Sequence, residues 1–280
     1  MKVLIQRCLW VLLLGSAWSM AAEPLRVVTA GASVTAIVQE LGLGEQLVGI
    51  DSTSVPLMAD RGLPNVGYQR ALSAEGVLSL KPDVLLGTEE MGPPPVLAQL
   101  RDAGVDVVVL SASPDLDTLY ANIEAVGARF AHVEQATALN QRIQADIAAL
   151  PAMSEPAPPA LFVLTHSANG MMVAGAGTVG DSLIRLGGMS NPAAESFSQY
   201  RVLSAEALLS LAPQWILTTS KGLEMVGGTD GLLSQQPALA ATPAGQAQQV
   251  VDIEDSLLVG GFSPHIAPAL RQLRETAAGE

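Results

Sequence analysis

The chain has 280 residues, 49% of them hydrophobic and 15% charged, with a formal net charge of −13 at pH 7. That length is enough for two lobes with a core each, and the acidic balance argues against nucleic acid or an anionic membrane surface as partner. One cysteine, Cys8, leaves no pair for a disulfide and no thiolate cage for a metal.

Residues 1–21 begin with Lys2 and Arg7, continue through the apolar run Leu9–Gly15 and end on Ser19-Met20-Ala21. A positive start, a short apolar core and small residues before a cleavage point make a secretory signal, too short to span a bilayer. Cys8 lies ahead of the apolar core, so the mature chain has no cysteine. Taking Lys2 and Arg7 from the 14 basic residues leaves 12 against 27 acidic ones, a net of −15. Such a surface suits a partner that offers basic side chains.

Leu25–Thr29 reads as a strand, followed by a glycine turn and a helix over 34–41 with Ser33 as its N-cap. Strands follow at 47–51, 83–86 and 105–110, with a long polar loop over 52–67 and a helix over 96–103. Strands without clean alternation, separated by helices, predict a parallel sheet covered on both faces. Leu119, Ile123, Val126, Phe130 and Val133, then Leu139, Ile143, Ile147 and Leu150, keep helical spacing. The proline-rich stretch 151–159 ends that helix. A second α/β lobe opens with the strand 161–165 and a glycine-rich loop from His166 to Gly177. It continues with a helix at 179–186, a helix around Glu206, a strand at 214–219, a loop bearing Lys221 and Met225, a strand at 250–253 and a helix at 264–277. The expected plan is therefore α/β: two lobes with central parallel sheets joined by a single long connector helix. The expected segments are a signal over 1–21, an N-terminal lobe over 22–117, a connector over 118–157 and a C-terminal lobe over 158–280. A ligand belongs between such lobes, at the carboxyl ends of the strands.

The chain repeats itself. Leu72–Leu86 aligns with Leu203–Leu217 at a constant offset of 131, with nine of fifteen positions identical, and Arg70 falls opposite Arg201. Tyr68 has no counterpart, since Gln199 stands at its place. Tyr68 is one of three tyrosines, lies in a loop that faces the expected cleft, and has Arg70 two residues on. A phenolate suits ferric iron and serves as an axial ligand of haem iron, and a nearby guanidinium favours the ionised phenol. Glu75 and Glu206 occupy the first turn of the two repeated helices, where carboxylates commonly complement the helix dipole. As one acid per lobe at matching positions, they also suit docking onto a pseudo-symmetric partner that carries arginines. His166 opens the glycine-rich loop and is either structural or a contact on the opposite cleft wall. Met91, Met171, Met172 and Met225 fall in loops at strand ends, where methionine forms a soft surface for a flat aromatic ligand. Lys221, in a matching loop, can neutralise a phenolate or a carboxylate. A hydrolase built on His166 and Ser167 lacks an evident third group, and three scattered histidines make a protein-only zinc cage unsuited to this chain.

The signal, the lobe–helix–lobe plan and the two Leu-Ser-Ala-Glu helices resemble the periplasmic binding proteins of ABC importers, in the class with one connecting helix. That class includes siderophore, vitamin B12 and haem binders. The stretch Gly67–Leu78 is similar to the haem-binding subgroup. The resemblance implies a periplasmic, non-enzymatic, monomeric carrier that takes haem as transported ligand and hands it to an ABC permease dimer. It implies Tyr68 as axial iron ligand, with Arg70, Met172 and Lys221 as haem contacts. His166 is implied as ligand of a second, stacked haem, and Glu75 and Glu206 as the acids that dock on permease arginines. The alternative within the class is a cobalamin or ferric-siderophore binder; a siderophore fills the coordination of its own iron and would not need Tyr68.

Overall fold

The computed structural model describes residues 23–153, 155–165 and 170–279. The signal segment, His166 and Ser167 therefore lie outside the described residues. Strands β1 (Val27–Ala30), β2 (Leu47–Ile50), β3 (Val84–Thr88) and β4 (Asp106–Leu110) form one sheet in the order β2-β1-β3-β4, with every pairing parallel. Helices α1 (Ala32–Glu40), α2 (Ala74–Ser79) and α3 (Pro94–Asp102) belong to its connections. β1 and β3 are buried along their whole length, with helices over both faces, which is why they read as unbroken apolar runs.

The second sheet holds β5 (Ala160–Leu164), β6 (Met172–Ala174), β7 (Tyr200–Arg201), β8 (Trp215–Thr219) and β9 (Val250–Ile253), in the order β7-β6-β5-β8-β9. Its β5-β8-β9 half is parallel, and β6 and β7 add an antiparallel edge. Helices α6 (Val179–Leu186), α7 (Ala205–Ser210), α8 (Ser220–Met225), α9 (Gly228–Gln235), α10 (Pro237–Ala240), α11 (Pro243–Gln246) and the closing α12 (Ile266–Ala278) surround it. Among the described residues no helix is long and apolar enough to cross a membrane.

The two-lobed α/β plan is the expected one, with differences of detail. The connecting region is two helices, α4 (Leu116–Arg129) and α5 (Val133–Ala148), not one unbroken rod. Ala131 turns left-handed at φ 56°, the His132 N–H closes on the Gly127 carbonyl at 2.7 Å, and α5 folds back so that Asn140 donates to the Tyr120 carbonyl. With neither Gly nor Pro at residues 130–132, the hydrophobic spacing hides the break. Ser33 is not an N-cap. The helix starts at Ala32 behind Gly31, and the Ser33 hydroxyl points elsewhere. Part of the expected glycine-rich loop is strand β6, and the expected loop at Lys221 is helix α8.

The sequence repeat is a structural repeat. Ser73 and Ser204 cap α2 and α7 by accepting from the N–H of Gly76 and of Ala207. Leu72 with Val77, and Leu203 with Leu208, lie before the cap and in the first full turn, the hydrophobic staple arrangement. Lys81 and Ala212 both take left-handed backbone, at φ 48° and 42°, one residue before a proline. The amides of Asp83 and Gln214 then donate to the carbonyls of Arg26 and Pro159, at 2.8 Å in each copy. One helix–turn–strand unit thus places Glu75 and Glu206 on equivalent, exposed helix starts.

Apolar packing joins the lobes. One cluster covers the outer face of each lobe, the first around Val77 and Leu100 and the second around Leu208 and Leu239. The third is shared, running from Ile37 and Leu86 through Ile123 and Ile143 to Phe162, Leu258 and Leu270.

Candidate functional site

Two adjoining cavities lie between the lobes. The inner one, about 260 Å³, has Tyr68, Gln69, Arg70 and Glu90 on the first-lobe side and Phe162, Thr178, Gln199 and Tyr200 on the other. The outer one, about 570 Å³, is bounded by Thr53, Pro56 and Tyr68 on one side and by Lys221, Glu224 and Met225 on the other. Tyr68, Asp255 and Val259 border both cavities. The outer volume falls within the roughly 300–1,000 Å³ common for small-molecule sites.

Tyr68 stands at the start of the turn Gln69–Ala71 and is 46% exposed. Its loop is held from beneath. Gln69 is fully buried, its carbonyl accepts from the Gly92 N–H at 2.9 Å, and its side-chain amide donates to Glu90 at 3.2 Å. The loop therefore presents one aromatic ring to the cleft on a buried anchor. Arg70 forms an ion pair with Glu90, so its charge is balanced within the first lobe. The expected tuning of the Tyr68 phenol by Arg70 has to contend with that carboxylate.

Tyr200 is a cleft residue that the sequence reading passed over. It lies on β7, across the inner cavity from Arg70 and Glu90. Burial pushes its phenol up to about 12, and Glu90 adds to the rise; the Gly180 amide, the Thr178 hydroxyl and Arg70 act against it. Burial thus favours the neutral hydroxyl of Tyr200 over its phenolate. Its neighbour Arg201 aligns with Arg70 in the repeat, a signal that could have drawn attention to this edge.

Lys221 is exposed in the first turn of α8, borders the outer cavity, and donates its backbone N–H to Asp255 at 3.0 Å. Of the four methionines expected near the ligand, Met225 alone borders a cavity, and it is 66% exposed. Met91 is buried in the first-lobe core, Met171 packs on the second-lobe core, and Met172 sits in β6 paired with Leu164. Met91 keeps its loop but turns into the core, whereas Met172 lies in a strand where a loop was expected. Among the described residues no three metal-ligating side chains converge on a point. The other two histidines are structural: His132 contacts the Leu41 carbonyl at 3.0 Å and His265 contacts Glu40 at 2.7 Å.

A family model described as periplasmic binding protein matches residues 27–257, through both sheets and the cleft. The chain belongs to the periplasmic binding protein family. Among solved structures, this periplasmic binding protein is similar to the periplasmic heme binding protein HutB of Vibrio cholerae. The TM-score is 0.81 and the identity 38%, over 89% of this chain and 98% of that one. It is equally similar to a periplasmic heme binding protein from Pseudomonas aeruginosa, at TM-score 0.82 and 38% identity, over 92% and 94% of the two chains. The vitamin B12-binding protein of Pectobacterium atrosepticum is 26% identical over 70% of this chain and 72% of its own length. An ABC transporter substrate-binding lipoprotein of Bacillus subtilis, YvrC, is 25% identical over 70% of this chain. The match spans 64% of YvrC's length.

Proposed function

We propose that the protein captures haem in the interlobe cleft of the periplasm and delivers it to an ABC permease. The observation that carries this is Tyr68: a half-exposed phenol on a buried anchor, at the junction of two cavities between the lobes. Similarity to heme binding proteins at 38% identity over nearly the whole chain supports it. Tyr68 is the axial ligand of ferric iron, Val259 and Met225 pack on the porphyrin, and the exposed Lys221 offers a cation to its carboxylates on the outer wall. Arg70 restrains the Tyr68 loop through Glu90. Met172, directly opposite Leu164 on the same face of the sheet, acts beside it, and His166 is the candidate ligand for a second haem. Glu75 and Glu206, exposed at equivalent helix starts, dock the loaded monomer on arginines of the permease. The leader over 1–21 directs export, and the protein acts as a carrier without turnover.

Titration of the purified chain with hemin, followed by absorption, tests this. The expected result is a high-spin ferric tyrosinate spectrum that Tyr68→Ala abolishes. One equivalent at saturation assigns Tyr68 alone, and two equivalents bring in His166. Retention of the spectrum in Tyr68→Ala overturns the ligand assignment. Similarity to vitamin B12-binding proteins motivates the cobalamin alternative; tight cyanocobalamin binding without hemin binding would establish it in place of haem.

A further inference from the structure

Helix α1 belongs to the first lobe, yet both its ends are fastened to the segment 259–265 that follows β9 of the second lobe. At its start, the Ser33 hydroxyl donates to the Gly260 carbonyl at 2.7 Å, and the Ser33 N–H donates to the Val259 carbonyl at 3.2 Å. At its end, Glu40 contacts His265 at 2.7 Å and pairs with Arg142 of α5. Ser33 is buried, at 2% exposure, so its bonds are shielded from competing water.

The strap needs its glycines. Gly260 and Gly261 both take left-handed backbone, at φ 82° and 90°. A Cβ on Gly260 would stand 2.9 Å from the Ser33 hydroxyl oxygen. Leu258 and Phe262, on either side, enter the apolar cluster shared with Val34 and Ile37 of α1. The strap is also a wall of the ligand site: Val259 borders both cavities, and Leu258 and Gly261 border the inner one.

We propose that Ser33 is a positioning residue of the cleft. By holding the backbone of Val259 and Gly260, it fixes the floor on which the ligand rests and ties the lobes together a second time, beside α5. Opening the cleft then requires breaking the Ser33 bonds or carrying the strap along with α1. The floor's link to ligand retention rests on the haem reading above; the tether itself does not.

The mature chain has no cysteine, so spin labels at Glu75→Cys and Glu206→Cys report the distance between lobes. Ser33→Ala is expected to broaden that distance distribution. Haem loss to excess apomyoglobin should become about tenfold faster, the effect of one lost buried hydrogen bond. Ser33→Thr, which keeps the hydroxyl, should restore both. Gly260→Ala should open the cleft further than Ser33→Ala in the wild-type background, and less when Ser33 is already alanine, because its clash partner has gone. In the unlabelled wild-type protein the Ser33 amide should resist hydrogen exchange as core amides do; this measurement needs no variant to fold. Fast exchange there, or a Ser33→Ala protein with unchanged distances and unchanged haem loss, overturns the proposal. A wild-type chain that takes up no hemin overturns the haem reading instead, and the distance measurement still decides the tether.

Discussion

Gly31→Ala tests how the Tyr68 loop is held. Gly31 precedes α1 with φ 115° and ψ 129°, a conformation costing an L-residue about 1–3 kcal/mol. A Cβ there would also stand 2.8 Å from the side-chain oxygen of Gln69, the far end of a flexible side chain that borders the inner cavity and can turn aside. Turning it aside strains the bond from its amide to Glu90, a loss of about 0.5–1.5 kcal/mol. Together the two effects come to roughly 1.5–4.5 kcal/mol, a large share of the ~5–15 kcal/mol that holds a folded domain. Thermal melts by circular dichroism should show a fall of several degrees or more in Tm. Because Gln69 adjoins Tyr68, the folded fraction should also bind hemin more weakly. In a Gln69→Ala background the clash is absent but the backbone strain is not, so Gly31→Ala should cost less there than in the wild-type chain. A Gly31→Ala protein within about 0.5 kcal/mol of wild type, the usual range for an uninvolved surface site, would refute this account of the anchor. So would an equal cost in both backgrounds.

Alkaline titration followed by ultraviolet absorption should show two phenols ionising late, Tyr120, which burial and Asp117 raise, and Tyr200 at about 12; Tyr200→Phe should remove the step at about 12 and leave the Tyr68-dependent hemin spectrum in place. Burial opposes ionisation of Glu40, but hydrogen bonds from His265 and Arg142 and their positive charge outweigh it, so its carboxyl lies below its ordinary value of 4.5. Its contribution to stability is therefore complete above that value and is lost as pH falls through the lower folded value. Glu40→Gln should lower Tm at neutral pH and flatten its decline below about pH 4.5, and an unchanged acid limb would show that Glu40 does not drive it. Glu75→Lys and Glu206→Lys should each weaken binding to the reconstituted permease by about tenfold or more while hemin affinity holds. Equal binding by the double variant would remove both acids from the docking face.

Local chemistry alone determined much of this protein. Unbroken apolar strands separated by helices specified two covered sheets, because a strand buried on both faces has no polar side to show. The Leu-Ser-Ala-Glu repeat specified two equivalent capped helices, since the serine cap, the flanking leucine and the following proline act within a dozen residues. Tyr68 could be singled out because its partner in the repeat is Gln199. What depends on residues far apart in the chain came only from the tertiary structure. Arg70 pairs with Glu90 twenty residues away, Tyr200 reaches the cleft through an edge strand two residues long, and Met91 turns into the first-lobe core. Ser33 has the residue type and place of an N-cap, yet its hydroxyl bonds a carbonyl 227 positions on. Sequence periodicity reports which face of an element is buried; which distant backbone meets that face is settled only when the lobes pack.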